Sequence, residues 1–240
     1  MFSPHGPTLR ELAVQALSSV EHGYDLLAPK FDDTPFRTPR SILDATAEAL
    51  GARGPFGAGL DVCCGTGAGL GVLRAVCAGR VAGADFSAGM LSRARAGHPG
   101  ADLVRTDVRE LGFDREFDLA VTFGALGHFL PSERPAVFAG VHRALRPGGL
   151  FAFPVPAPAP PTSPAHWAAL GFDVAMRVRN ALWHPPFVMY YRTTPFSALR
   201  ADLVAAGFRV EVAGLPSLGL TRDGSPRCGL VMAFTAAATS

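Results

Sequence analysis

Four glycines at alternate positions, Gly65, Gly67, Gly69 and Gly71, follow the mostly apolar run Gly59-Leu60-Asp61-Val62-Cys63. A glycine-rich turn between a strand and a helix presents unpaired N–H groups and the positive end of the helix dipole, so it suits an anionic group of a ligand. The spacing is not that of the dinucleotide fingerprint G-x-G-x-x-G, because the third glycine position is Leu70 counted from Gly65 and Val72 counted from Gly67. A pyrophosphate is therefore disfavoured. Asp85 stands twenty residues after Gly65 at the end of a second apolar run, where a carboxylate can accept hydrogen bonds from two ribose hydroxyls. The pair predicts a nucleoside ligand with a carboxylate tail. His128, in Gly124-Ala-Leu-Gly-His-Phe129, could take a proton, and it could equally be packed in a wall beside Phe129 and Leu130.

Positioning these residues requires strands that alternate with helices, and the periodicity supplies them. Strands are expected at Gly59 to Cys63, Arg80 to Ala84, Ala101 to Arg105, Phe117 to Phe123 and Leu150 to Phe153, with two more at Phe208 to Ala213 and Cys228 to Phe234. Helices are expected through Leu70, Leu73, Val76 and Cys77, after an N-cap at Ser87, and through Val137, Val141 and Leu145 up to Pro147-Gly148-Gly149. This rhythm predicts a doubly wound α/β sheet with right-handed crossovers. Two helices should precede it: Thr8 to Glu21, ended by Gly23, and one from Pro39 or Arg40 to Gly51, with Tyr24 to Thr38 as a loop between them. Six prolines between Pro154 and Pro164 predict an extended connector outside any central sheet. Beyond it Trp167, Leu170, Val174, Val178 and Leu182 share one helical face, the pattern of a core contact. Thr194 as N-cap, Pro195, Leu199, Leu203 and a closing Gly207 predict a further helix.

The chain has 240 residues, a size that an α/β fold accommodates in one domain. One domain is expected, divided into an N-terminal helical cap (1–52), a core (57–153), an insertion covering the site (154–194) and a C-terminal helix with strands (195–240). Net charge is +2 and hydrophobic residues make up 48%, which argues against a basic nucleic-acid binder and against a disordered tail. Cys63, Cys64, Cys77 and Cys228 have neither zinc nor secreted-framework spacing. No signal peptide or uninterrupted apolar span is seen, so a cytoplasmic protein without membrane attachment is expected.

Four ordered segments carry a family likeness: Leu60-Asp-Val-Cys-Cys-Gly-Thr-Gly-Ala-Gly69, Ala84-Asp-Phe-Ser-Ala-Gly-Met-Leu91, Asp107, and Leu145-Arg-Pro-Gly-Gly-Leu-Phe151. Together they resemble the motif set of class I S-adenosylmethionine-dependent methyltransferases. The resemblance implies a Rossmann-like seven-stranded sheet of order 3-2-1-4-5-7-6 with strand 7 antiparallel. It also implies S-adenosylmethionine as cofactor, S-adenosylhomocysteine as product, and a cofactor site across the carboxyl ends of the strands. One departure is Cys63, where the usual first glycine of the turn stands. By resemblance the site includes Cys64, Gly65, Thr66 and Gly67 in the turn and Asp85 at the ribose. Phe86 and Met90 would lie at the adenine, Asp107 and the Val108 N–H at its polar edge, and the Phe123 carbonyl at the methionine ammonium. The N-terminal part is similar to small-molecule members such as glycine N-methyltransferase, which implies that Tyr24 and Arg37 close over the cofactor. A permanently charged arginine is a fitting partner for a carboxylate.

Methyl transfer is an in-line displacement that needs alignment and exclusion of water more than a base. His128 is the candidate base if the acceptor must lose a proton. Trp183, Phe187, Tyr190 and Tyr191 fall outside the helical stripe and are the candidate acceptor contacts, suited to an apolar or aromatic molecule. No Asp/Asn-Pro-Pro-Tyr/Phe follows the fourth strand, no Pro-Cys nucleophile is found, and no carboxylate cluster suggests magnesium. A small-molecule acceptor is the expectation, with no metal and no nucleic-acid partner, in a monomer or homodimer. The alternatives are an NAD(P)-dependent oxidoreductase on the same topology and a non-catalytic S-adenosylmethionine-binding module.

Overall fold

The computed structural model describes residues 8, 20–34, 36–157, 163, 164, 167, 170, 171, 174, 175, 178, 182, 196–221 and 223–238. Its centre is one seven-stranded sheet: β1 (Gly59–Val62), β2 (Val81–Asp85), β3 (Asp102–Arg105), β4 (Phe117–Val121), β5 (Leu145–Pro156), β6 (Arg209–Gly214) and β7 (Cys228–Phe234). The order is β3-β2-β1-β4-β5-β7-β6. β1 to β5 are parallel, and β7 runs antiparallel to both β5 and β6. This is the sheet the family resemblance implies.

Side chains alternate across the sheet because successive strand residues point to opposite faces. On β4 and β5, Ala120, Phe151 and Phe153 enter one core with Val137, Phe138 and Val141 of α5 (Arg134–Ala144) and with Leu199 and Leu203 of α6 (Phe196–Ala205). Their neighbours Leu119, Val121, Leu150 and Ala152 enter the other core. There they meet Leu50 of α2 (Arg40–Gly51) and Leu70, Leu73 and Val76 of α3 (Ala68–Val76). Because β1 to β5 run parallel, their carboxyl ends lie at one edge, where the turns after β1, β2 and β4 converge. α4 (Ala88–Gly97) follows β2 and is capped by Ser87, whose Oγ accepts from the Met90 N–H at 3.0 Å.

Several sequence expectations are corrected. Gly23 does not end the first helix: α1 (Val20–Leu27) runs through it, and Ala28–Asp33 continues as a 3-10 helix, so most of the expected loop is helical. Gly23 is buried, and a single interior glycine costs only about 1 kcal/mol, which packing offsets. Pro154 and Pro156 do join the sheet, opposite Leu230 and Cys228 of β7. Pairing between β4 and β5 ends at Val121 and Ala152, so beyond that point β5 has one partner and behaves as an edge, where proline is tolerated. β5 also begins at Leu145, before the Pro-Gly-Gly turn rather than after it. Trp167, Leu170, Val174, Val178 and Leu182 are in helical conformation but are exposed, Trp167 at 62%, so this face is not core. Thr194 and Pro195 lie outside the described residues.

Phe151 is fully buried among Phe138, Phe153 and Phe208, with ring centroids 6.3, 5.1 and 6.3 Å away. Phe151→Ala is expected to lower unfolding free energy by about 3–5 kcal/mol, measured from urea midpoints at constant m-value.

Candidate functional site

The turn after β1 is made by left-handed backbone. Cys63 has φ 59°, Gly65 has φ 51° and Gly67 has φ 100°. This curl brings the Gly67 N–H to the Cys64 carbonyl at 2.8 Å and starts α3 immediately afterwards. Cys63 adopts a conformation that costs a non-glycine residue roughly 1–2 kcal/mol, and its side chain packs against the core beside the turn. Gly65 faces open space, since a Cβ there would meet nothing within 4 Å, and it lines a cavity of about 1000 Å³. Gly67 is buried, and a Cβ there would stand 2.6 Å from Cδ2 of His98. The absent side chain at Gly67 makes room for the His98 ring behind the turn.

Two buried carboxylates form the floor. Asp85 ends β2 with 6% of its surface exposed. One oxygen accepts from the Gly65 N–H and the other from the Ser87 N–H, both at 2.9 Å. Burial raises its pKa, and these backbone N–H groups oppose the rise. Asp61 sits inside β1 with 1% exposure, and its Oδ2 has no hydrogen-bond partner. It is pressed against the first turn of α3 so closely that a Cβ at Gly69 would lie 2.5 Å from Oδ2. Burial lifts the Asp61 pKa well above the usual carboxylate range, and the Asp85 charge lifts it further. Spacing does not single out Asp61; its signal in the sequence is a charged residue in the middle of an otherwise apolar strand.

The roof comes from α1 and the segment after it. Tyr24, Leu27, Phe31, Phe36, Arg37 and Thr38 line the cavity from this side. Four side chains tie the segment to four different strand ends. Glu21 pairs with Arg105 at the end of β3. The Tyr24 hydroxyl lies 2.9 Å from Nε2 of His128 after β4. Asp25 accepts from the Ser87 hydroxyl at 2.6 Å and the Gly89 N–H at 2.8 Å after β2. Asp32 accepts from the Thr66 hydroxyl at 2.8 Å after β1. Arg37, expected at a carboxylate of the ligand, pairs here with the same Asp32 at 3.4 Å and is half exposed.

Phe86, Met90, Asp107 and Val108 gather on one flank of the cavity. The Phe86 ring stands edge-on to Tyr24 with centroids 6.1 Å apart. Asp107 caps the short 3-10 helix Val108–Glu110 through the Arg109 N–H at 2.9 Å. The Arg109 guanidinium also grips both Asp107 oxygens, with Nε at 2.9 and 3.0 Å, and holds its pKa below the usual range. Any amino group of a ligand would have to share that carboxylate with Arg109, which reaches on to Glu133.

The other flank is apolar, formed by Phe36, Phe123, Phe129 and Leu130, with His128 among them. Burial lowers the His128 pKa to about 4, so the imidazole is neutral near pH 7. Of the site residues read from sequence, Tyr24, Arg37, Cys64, Gly65, Thr66, Asp85, Phe86, Met90, Asp107, Val108, Phe123 and His128 line this one cavity. Trp183, Phe187, Tyr190 and Tyr191 lie outside the described residues. Among the described residues no cluster of His, Cys, Asp or Glu is arranged to hold a metal ion. Nor is any helix there long and apolar enough to cross a membrane.

Comparison with known proteins gives a consistent picture. Residues 60–149 match the sequence profile described as a methyltransferase domain. An uncharacterized methyltransferase of Synechocystis sp. (strain ATCC 27184 / PCC 6803 / Kazusa) is 40% identical over 94 residues, which are 39% of this chain and 44% of that protein. The chain thus spans under half the length of this relative. Among solved structures, an S-adenosylmethionine-dependent methyltransferase from Mesorhizobium loti is similar at TM-score 0.53 and 26% identity, over 80% of this chain and 99% of that one. A DhpI–SAH complex is similar at TM-score 0.64 and 20% identity, over 95% and 99%. The latter likeness is one of fold.

Two outcomes are expected from this geometry. Gly67→Ala should destabilise the protein by about 2 kcal/mol through left-handed strain and overpacking, and His98→Ala in the same chain should restore part of the loss of melting temperature. His128 is neutral when folded and charges more easily when unfolded, so stability falls as pH drops from about 6.5 toward its folded value of about 4. Denaturant titrations from pH 7.5 to 4.5 should show that part of the acid-side decline missing in His128→Asn.

Proposed function

We propose, from the premise that residues 60–149 of this chain are a methyltransferase domain in the class I fold of the S-adenosylmethionine-dependent enzymes, that the whole chain transfers a methyl group from S-adenosylmethionine to a small, uncharged and largely apolar acceptor. The observation that carries the reading is the floor of the cavity. An open glycine backbone at Gly65 lies beside two buried carboxylates, and one of these, Asp85, is locked by N–H groups of two different turns. The residues fit the group. Each Asp85 oxygen spends one acceptor site on the backbone and keeps another for a sugar hydroxyl. The Asp61 oxygen without a partner suits an ammonium, and the apolar Phe86 and Met90 suit a base.

When bound, S-adenosylmethionine supplies an activated methyl on a sulfonium. The chain contributes placement and shielding. Gly65 and Asp85 orient the nucleoside, and Tyr24, Phe31 and Phe36 exclude water from above. Phe123, Phe129 and Leu130 offer the acceptor an apolar wall. Beside it the Tyr24 hydroxyl and the neutral His128 form the polar pair that can hold an acceptor hydroxyl and receive its proton. An imidazole of such low basicity accepts that proton only as the oxygen becomes alkylated, which favours a hydroxyl acceptor over an ammonium one.

Thermal-shift titration tests the reading. S-adenosylhomocysteine should raise the melting temperature while NAD and NADP should not. Asp85→Ala should weaken S-adenosylhomocysteine affinity by at least about tenfold by calorimetry, since charge-assisted hydrogen bonds of about 1.5–3 kcal/mol are lost. A rise with NAD(P) alone, or unchanged affinity in Asp85→Ala, contradicts it.

A further inference from the structure

The floor of the cavity holds more negative charge than its surroundings neutralise. Asp61 projects from β1 and Asp85 from β2, on neighbouring parallel strands, and both are buried. The groups facing Asp61 are Asp85 on β2, the thiols of Cys63 and Cys64 in the turn after β1, and the Gly69 and Leu70 N–H groups at the start of α3. Three arginines line the cavity, and each is engaged by an acid of the rim. Arg37 pairs with Asp32, Arg105 with Glu21, and Arg109 with Asp107 and Glu133. None of these ion pairs includes Asp61 or Asp85. Two like charges buried side by side without a counter-ion cannot both persist, so one of the acids keeps its proton. Asp85 has both oxygens engaged by N–H donors, which favour its ionised form; the Gly69 and Leu70 N–H groups favour ionised Asp61 too, but burial outweighs them, and its Oδ2 makes no hydrogen bond.

We propose that Asp61 is a neutral acid while the cavity lacks a cation and surrenders its proton when a ligand sets an ammonium beside Oδ2, so that binding releases up to one proton to solvent. The O–H bond of the carboxylic acid breaks, the electron pair stays on the oxygen, and the carboxylate so formed pairs with the ligand's positive charge. The inference rests on the functional reading above, because the ammonium is that of the amino-acid tail of S-adenosylmethionine or S-adenosylhomocysteine. Its consequence is an affinity that depends on pH for a reason unconnected with turnover. Below the titration of Asp61 in the ligand-free protein, Kd for a tailed ligand rises by about tenfold per pH unit.

Isothermal titration of the full chain with S-adenosylhomocysteine at pH 5.5, 6.5 and 7.5, in pairs of buffers of low and high ionisation enthalpy, measures the proton count directly. The expected result is a release that approaches one proton toward the acid end. 5′-Methylthioadenosine keeps the nucleoside and thioether but lacks the tail, and it should bind with no such release. Asp61→Asn should bind S-adenosylhomocysteine more weakly and without release. Should that variant not fold, the contrast between the two ligands on the unaltered protein decides the matter. Binding of S-adenosylhomocysteine with equal heats in both buffers at every pH overturns the proposal and leaves the functional reading standing. Release that persists in Asp61→Asn, or that is equal for the two ligands, also overturns it. Absence of any S-adenosylhomocysteine binding removes both.

Discussion

One carboxylate holds the architecture of the cavity together. Asp85 ends β2, and its two oxygens take N–H groups from two separate turns, Gly65 after β1 and Ser87 after β2. Neither turn has regular secondary structure at that point, and buried N–H groups without partners would be costly. A single side chain removes the cost for both and fixes the distance between them. Ser87 is itself the cap of α4, so the same carboxylate also sets where that helix begins. The floor, the start of α4 and the opening above Gly65 all follow from that one bridge.

Around it the charges are sorted by depth. The rim carries arginines and acids already matched with each other, with Arg105 on Glu21 and Arg109 on Asp107 and Glu133. Such partly exposed pairs contribute little to stability and make the entrance nearly neutral. The floor carries acids alone. A positive charge placed beside the floor would be held more strongly than one at the rim, because low dielectric strengthens charge interactions there.

The strands of the sheet were legible because their burial is two-sided and their periods are short. β7 is expected and found at Cys228 to Phe234, and α2 ends at Gly51. Errors arose where tertiary pairing overrode local preference. Pro154 and Pro156 read as a connector, yet β7 extends past the end of β4 and gives β5 a single partner there. The stripe from Trp167 to Leu182 read as core because spacing reveals a face but not what covers it. In the site, the glycines, Asp85 and Ser87 carried their own signals. Asp61 was hidden inside a strand whose burial on both faces only the sheet reveals. The engagement of Arg37 by Asp32 and of Asp107 by Arg109 depends on side-chain reach, which spacing does not encode.

The segment from Glu21 to Asp32 touches the ends of all four strands β1 to β4, once each, through four polar side chains of which only Tyr24 is uncharged. Three of these ties involve residues that take no part in the floor. Only the Glu21–Arg105 tie joins opposite charges at the exposed surface, so added salt would loosen that corner of the roof far more than the buried carboxyls beneath it.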